Sequence, residues 1–95
     1  MQKEQLMRLH QFFVYLAKEI IKDCENNDCK ELLELYNKLE IKPHHIHRLK
    51  NEQKAAILLL SACISKCLEE EIDIPKNLSE KLKENALKYL NGVKR

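Results

Sequence analysis

Glycine and proline are scarce in this sequence, which contains one Gly and two Pro among 95 residues. Hairpin turns depend on these residue types, so their scarcity argues against a β-sheet protein. Leu, Ile, Lys and Glu are abundant instead, and Leu, Lys and Glu favour helices. We therefore predict an all-α protein with a single domain over residues 1–95, in a four-helix bundle-like arrangement with one long central helix.

Long apolar segments and targeting signals are also missing. The most apolar run covers residues 55–64, whereas a helix needs about 20 apolar residues to cross a bilayer. The first residues, MQKEQLMRLH, do not follow the pattern of a secretory signal peptide. With 44% hydrophobic and 34% charged residues, the composition is typical of a folded protein outside the membrane. We expect a cytoplasmic protein without a membrane partner.

Apolar residues recur at helical spacing in four segments of the chain. The third segment has no Gly or Pro after Pro43. Pro43 itself suits the first position of a helix. It most simply forms one long helix of about eight turns. The predicted helices cover residues 3–23, 28–39, 43–71 and 75–91.

The chain has four cysteines: Cys24, Cys29, Cys63 and Cys67. Without a secretory signal, two disulfides are not expected. Helices joined by short connections run antiparallel. At 1.5 Å of rise per residue, Cys63 and Cys67 then lie about 30–36 Å above Pro43, while Cys24 and Cys29 lie near 18 Å. We therefore expect free, mostly buried thiols rather than a four-cysteine zinc site.

The same geometry places the C-terminal part of the third helix beyond the ends of the first two helices. The fourth helix can cover one side of this part, so the other side needs a partner. We therefore predict a homo-oligomer. Its interface is expected at Ile57, Leu58, Leu59, Leu60 and Ile64.

The four histidines are the first candidate for a functional site. The same count of helical rise places His10 level with the start of the third helix, where His44, His45 and His47 lie. Neutral imidazoles bind transition metals well, and residues three apart on a helix can face one ligand. His10, His47 and His44 are therefore candidate ligands of a divalent transition metal such as zinc. In the competing interpretation, His44 and His45 face solvent and His10 packs on the core.

The start of the third helix is also a candidate anion site. Open amide groups at a helix start favour negative charge, and the same dipole disfavours a bound cation. Nucleic acid is a weaker version of this idea, because no interleaved aromatics or recognition helix accompany the basic residues. The candidate contact residues are Lys42, His45, Arg48 and Lys50.

Catalysis has little support in the sequence. A Cys–His nucleophile pair would need a thiol near the histidines, and a single Gly excludes a glycine-rich phosphate loop. We interpret the chain as a small intracellular helical binding protein of unknown function, with an enzyme as the third option. It either binds a divalent metal through a histidine layer, or is an interaction or regulatory module with structural histidines and an anion or nucleic-acid partner.

Two segments, KEQLMRLHQFFVYL (residues 3–16) and KPHHIHRLKNEQKAAILLL (residues 42–60), together resemble an uncharacterised family of small archaeal helical proteins, some of them labelled metal-binding. The family pattern has Leu-His in the first helix, as residues 9–10 do, and Ile-His-Lys/Arg at the start of the long helix, as residues 46–48 do. The family commonly has a further histidine where this chain has Gln53, a poor metal ligand. The resemblance implies a helical, oligomeric archaeal protein without an established activity.

Overall fold

Four α-helices make up the fold in the computed structural model, which describes residues 2–22, 24, 27–42, 50–69, 75 and 77–91. No strand occurs among these residues, so the all-α prediction with four helices is confirmed. None of the described helices is both long and apolar enough to cross a membrane. The helices are α1 (Lys3–Ile21), α2 (Asn27–Leu39), α3 (Lys50–Leu68) and α4 (Leu78–Asn91).

Local interactions and backbone conformation define where α1 begins and where α2 ends. At the start of α1, the backbone N–H of Gln2 donates to Oε1 of Gln5 over 3.0 Å, so the side chain of Gln5 caps an open amide. After α2, Glu40 has a φ of 54°. This left-handed conformation ends many helices, and a glycine usually takes it. Here the chain leaves α2 through a non-glycine residue and enters the buried Ile41.

Helix α3 packs against each of the other three helices. Ten of its 19 residues are buried, compared with three in α1. Small side chains make this close approach feasible, because Ala55, Ala56 and Ala62 are all fully buried. A helix that is apolar around most of its circumference needs neighbours on several sides. In this protein, α1, α2 and α4 provide them.

This packing corrects the expectation of an uncovered face on the third helix. Within the single chain, Ile57, Leu59, Leu60 and Ile64 are buried, and Leu58 is half-buried. Their burial by the other helices removes the argument that placed an oligomer interface on them. The homo-oligomer itself stays a prediction. The long third helix is seen over Lys50–Leu68, and residues 43–49 lie outside the described part of the chain.

Two contacts set the register between α1 and α3. The ring of His10 lies against Gln53, and Cys24 is bonded to Cys67. Both pairs are 43 residues apart in sequence, so α1 and α3 run in the same direction. Counting helical rise from Pro43 had instead predicted that His10 lies level with Pro43. That position is about ten residues, or 15 Å, from Gln53 along a helix. The predicted up-and-down order of the first three helices was therefore correct, but the predicted register of α3 was wrong.

A buried polar triad joins α1, α2 and α3. Nδ1 of His10 lies 2.7 Å from Oε1 of Gln53, and Nε2 lies 2.6 Å from the hydroxyl of Tyr36. Nε2 of Gln53 donates to the carbonyl of Lys42 over 3.2 Å, so its oxygen must face His10. The imidazole therefore donates from Nδ1 and accepts the Tyr36 hydroxyl proton at Nε2. This arrangement satisfies every polar atom of a neutral histidine ring.

Burial fixes the protonation states in this triad. Desolvation lowers the pKa of His10, the hydrogen bond that His10 donates to Gln53 opposes this, and the charge of Lys42 adds to the lowering. Desolvation also raises the pKa of Tyr36 to about 12, so its hydroxyl keeps its proton. The triad is stable with a neutral imidazole and is weakened by protonation.

We predict that the free energy of unfolding falls as the pH drops below about 6.5, the pKa of an unperturbed histidine. The folded-state pKa of His10 is lowered, so the unfolded chain binds the proton more readily and stability is lost with acidification. The slope is at most about 1.4 kcal/mol per pH unit for one proton. Urea unfolding from pH 7.5 to 5.0 measures it.

The control for this prediction is His10→Gln, which keeps a donor and an acceptor but cannot titrate. The variant should be less stable at pH 7.5 and should lose less stability than the natural protein on acidification. An equal loss in both proteins would show that His10 does not carry the pH dependence.

Candidate metal centre at the cysteine cluster

All four cysteines of the chain meet where the end of α1, the first turn of α2 and the later part of α3 come together. Cys24 follows α1, and Cys29 lies in the first turn of α2. Cys63 and Cys67 lie one turn apart on α3, so their side chains share one face of that helix. The cluster therefore joins three of the four helices.

Cys24 and Cys67 form a disulfide with a Cα–Cα distance of 5.7 Å. This separation lies within the usual range for bonded cysteines. Both side chains are half-buried, so this pair is the more accessible half of the cluster. The bond links two residues 43 positions apart.

Cys29 and Cys63 are fully buried thiols. Their Sγ atoms lie 2.6 Å apart, and each Sγ also approaches the other residue's carbonyl oxygen, at 3.2 Å for Cys29 and 3.1 Å for Cys63. Burial raises the pKa of Cys29 and, more strongly, that of Cys63. Both therefore remain protonated at neutral pH unless a cation replaces the protons.

Three of the sulfur atoms are close enough to one another to bind one metal ion. The Sγ atoms of Cys24, Cys29 and Cys67 all lie within 4.8 Å of one another, and that of Cys63 lies beside Cys29. Four thiolates around tetrahedral zinc, at Zn–S distances near 2.3 Å, are separated by about 3.8 Å. Among the described residues, Cys24, Cys29 and Cys67 thus form a cluster that is suited to a metal ion, and two of them form a disulfide.

The expectation of four unpaired thiols is wrong for Cys24 and Cys67, and the expected separation of the cysteines along the bundle is wrong for all four. The cause is the register of α3. The shift of about ten residues that brings Gln53 level with His10 also brings Cys63 and Cys67 down to the level of Cys24 and Cys29. The four-cysteine zinc site was judged unlikely because of this predicted separation, which the structure does not have.

Of the predicted histidine ligands, only His10 lies in the described part of the chain. It is fully buried, and both ring nitrogens are engaged by Gln53 and Tyr36. A metal at His10 would have to displace one of these partners. His44 and His47 lie outside the described residues, so the histidine site stays a prediction.

The predicted anion site is described only at its edges. Lys42 and Lys50 are exposed, while His45 and Arg48 lie outside the described residues. The anion and nucleic-acid predictions therefore also remain predictions.

Charged groups of both signs border the cysteine cluster. Nζ of Lys66, next to Cys67 in sequence, lies 3.2 Å from a carboxylate oxygen of Glu69 and 3.7 Å from one of Asp28. The hydrogen bond from Lys66 to Glu69 raises the pKa of Lys66.

A cavity of about 230 Å³ opens beside Lys66 between α2, α3 and α4. It is lined by Asp28, Glu31, Leu32, Leu35, Lys66, Ser79, Glu80 and Lys83.

Comparison with known proteins places the chain in a family. A model of the uncharacterised protein family UPF0058 matches residues 1–89. The chain belongs to the UPF0058 family. No activity follows from this membership, because the family's function is unknown.

Similar UPF0058 proteins come from archaea. Two are from Methanocaldococcus jannaschii: one is 62% identical over an alignment covering all of this chain and 84% of the relative, and the other is 41% identical and covers all of this chain and 90% of the relative. A UPF0058 protein of Methanothermobacter thermautotrophicus is 44% identical and covers 90% of this chain and 83% of the relative. No solved structure matches the chain.

We predict that Cys24→Ser and Cys67→Ser each lower the free energy of unfolding of the oxidised protein by about 2–4 kcal/mol, because closing a long loop restricts the unfolded chain. Guanidinium unfolding in EDTA without reductant measures the loss. The double variant should be no less stable than the single variants, since both remove the same bond.

Reductant provides the control. In tris(2-carboxyethyl)phosphine (TCEP) and EDTA, the natural protein should fall to nearly the stability of the serine variants. A natural protein that is equally stable with and without reductant would contradict a stabilising disulfide between Cys24 and Cys67.

Proposed function

We propose that this UPF0058 protein is a small helical metal-binding protein that holds a thiophilic divalent ion, with zinc as the first candidate. The proposed ligands are Cys24, Cys29, Cys63 and Cys67. The observation that supports the proposal best is the approach of sulfur atoms from three segments that are distant in sequence. Four thiols at one point are a donor set that suits zinc or iron.

The disulfide and the metal are alternative states of one cluster. Reducing the Cys24–Cys67 bond takes two electrons and two protons and gives two thiols. Binding the metal then releases the protons of the ligating thiols, because the metal binds thiolates. A divalent ion reverses the effect of burial on Cys63 and Cys29, whose pKa values are raised while they are uncharged thiols.

The position of Cys29 favours a thiolate once a cation is present. The residue lies in the first turn of α2, where open amide groups and the helix dipole stabilise negative charge. The ion pairs of Lys66 with Glu69 and Asp28 lie beside the cluster and keep the positively charged ammonium group of Lys66 close to it. These features lower the energy needed to collect several thiolates in a largely buried place.

Four protein ligands leave no open coordination position for a substrate. Zinc sites of this kind are structural, whereas catalytic sites keep one position for water. We therefore propose that the ion fastens α1, α2 and α3 together in the reduced protein, as the disulfide fastens α1 to α3 in the oxidised protein. This role is a binding function and requires no catalysis.

Metal analysis of untagged protein purified in TCEP tests the proposal. We expect about one zinc per chain in the natural protein. Removing one ligand by Cys63→Ser or Cys67→Ser should weaken zinc binding at least about tenfold, since even an indirect partner of a ligand contributes that much. Competition with a chromophoric chelator measures the affinity, and circular dichroism confirms that each variant is helical.

Two histidine variants serve as matched controls. His44→Ala and His47→Ala should bind zinc as the natural protein does. Loss of zinc in these variants, with full binding in the cysteine variants, would overturn the cysteine site in favour of the histidine layer. Reduced protein that binds no zinc, iron or cobalt would contradict both.

A further inference from the structure

Helix α1 carries two aromatic side chains on the outside of the fold. Phe12 is 58% exposed and Tyr15 is 64% exposed, the two largest values among the described large hydrophobic residues. The ring of Phe12 rests edge-on against the half-buried Phe13, with their centroids 5.8 Å apart. Single exposed apolar residues are common, but two neighbouring rings on one helix face form a patch that a partner can cover.

The patch belongs to a longer stripe with coiled-coil spacing. Starting at Gln5, exposed residues follow one another at steps of three, four, three, four and three positions. This spacing keeps side chains on one side of a helix and is the repeat by which two helices pack along a seam. The stripe spans about 25 Å of helix. Its members are Gln5, Arg8, Phe12, Tyr15, Glu19 and Lys22.

The order of residues in this stripe is self-complementary when the helix is reversed. If two copies lie antiparallel around a two-fold axis at the centre of the stripe, Phe12 of each copy faces Tyr15 of the other. Arg8 of each copy then faces Glu19 of the other, and Gln5 faces Lys22. A two-fold interface uses the same surface on both subunits, so each favourable pair occurs twice. A parallel pairing would instead oppose like charges at Arg8 and Glu19, which disfavours it.

We propose that α1 pairs antiparallel with α1 of a second copy of this chain, with a Phe12–Tyr15 centre flanked by Arg8–Glu19 ion pairs. Charge complementarity identifies a second copy as the occupant, because the stripe matches its own reverse. Arg8 already contacts Glu4 of the same helix at 2.9 Å, but both side chains are more than 70% exposed. Such exposed pairs contribute little to stability, so Arg8 can turn to a partner.

This surface differs from the one expected on the third helix. It uses exposed residues of α1, whereas most of the residues expected on α3 are buried inside the chain. It also shares no residue with the proposed metal site, since none of its six residues is a cysteine or a histidine. Either proposal can therefore fail without the other.

Sedimentation velocity from 1 to 300 µM in TCEP tests the dimer, since reductant prevents disulfides between chains. The natural protein should change from monomer to dimer within this range. Phe12→Glu should remain monomeric throughout. Leu87→Glu is the matched control, because Leu87 is the exposed large hydrophobic on α4, at 37%, and should leave the dimer unchanged.

Charge reversal tests the antiparallel register. Arg8→Glu alone and Glu19→Arg alone should each weaken the dimer on the order of tenfold, because each places like charges together twice. The double variant restores opposite charges across the axis and should recover most of the affinity. A natural protein that is monomeric at 300 µM, a Phe12→Glu dimer of natural affinity, or a double variant weaker than both singles would overturn the proposal.

Discussion

Helix α3 contacts all three other helices, and the remaining features of the structure depend on this packing. Fully buried Ala55, Ala56 and Ala62 allow close approach, and Leu59 fills the interior between the helices. Leucine and alanine side chains specify little about longitudinal position, because neighbouring turns are nearly equivalent. The specific contacts are polar or sulfur-based: His10 with Gln53 and Tyr36 near one end, and the cysteine cluster near the other. These two groups fix the helix register at two separate heights.

In our proposal, the cysteine cluster stabilises this arrangement by two different chemistries. As a disulfide, Cys24–Cys67 joins the segment after α1 to α3 and leaves Cys29 and Cys63 as buried thiols beside it. In the proposed metal site, all four sulfur atoms would bind the ion, so α2 would also be joined to α1 and α3. The two states exclude each other because they share Cys24 and Cys67. The redox state of the surroundings would therefore decide which one holds the helices together.

Composition and periodicity predicted the all-α class and four helices, because scarce Gly and Pro and recurring apolar residues are local signals. The family was also identifiable from two segments of the sequence. The register of α3 was not predictable by counting helical rise from Pro43, since the contact of His10 with Gln53 depends on tertiary packing. That one shift hid the cysteine cluster. The available signal was two pairs of cysteines close in sequence, Cys24/Cys29 five residues apart and Cys63/Cys67 four residues apart. The predicted heights wrongly separated these pairs. The exposed stripe on α1 was not predicted from the sequence, because the exposure of Phe12 and Tyr15 depends on where the other helices pack.

X-ray absorption at the zinc K-edge tests the central claim most directly, because it identifies the atoms bound to the metal in the reduced, zinc-loaded protein. The account predicts four sulfur neighbours at about 2.3 Å and no shorter shell. A spectrum dominated by nitrogen or oxygen neighbours at about 2.0–2.1 Å would contradict it, since that shell would place the metal on histidines or carboxylates instead of on the four cysteines.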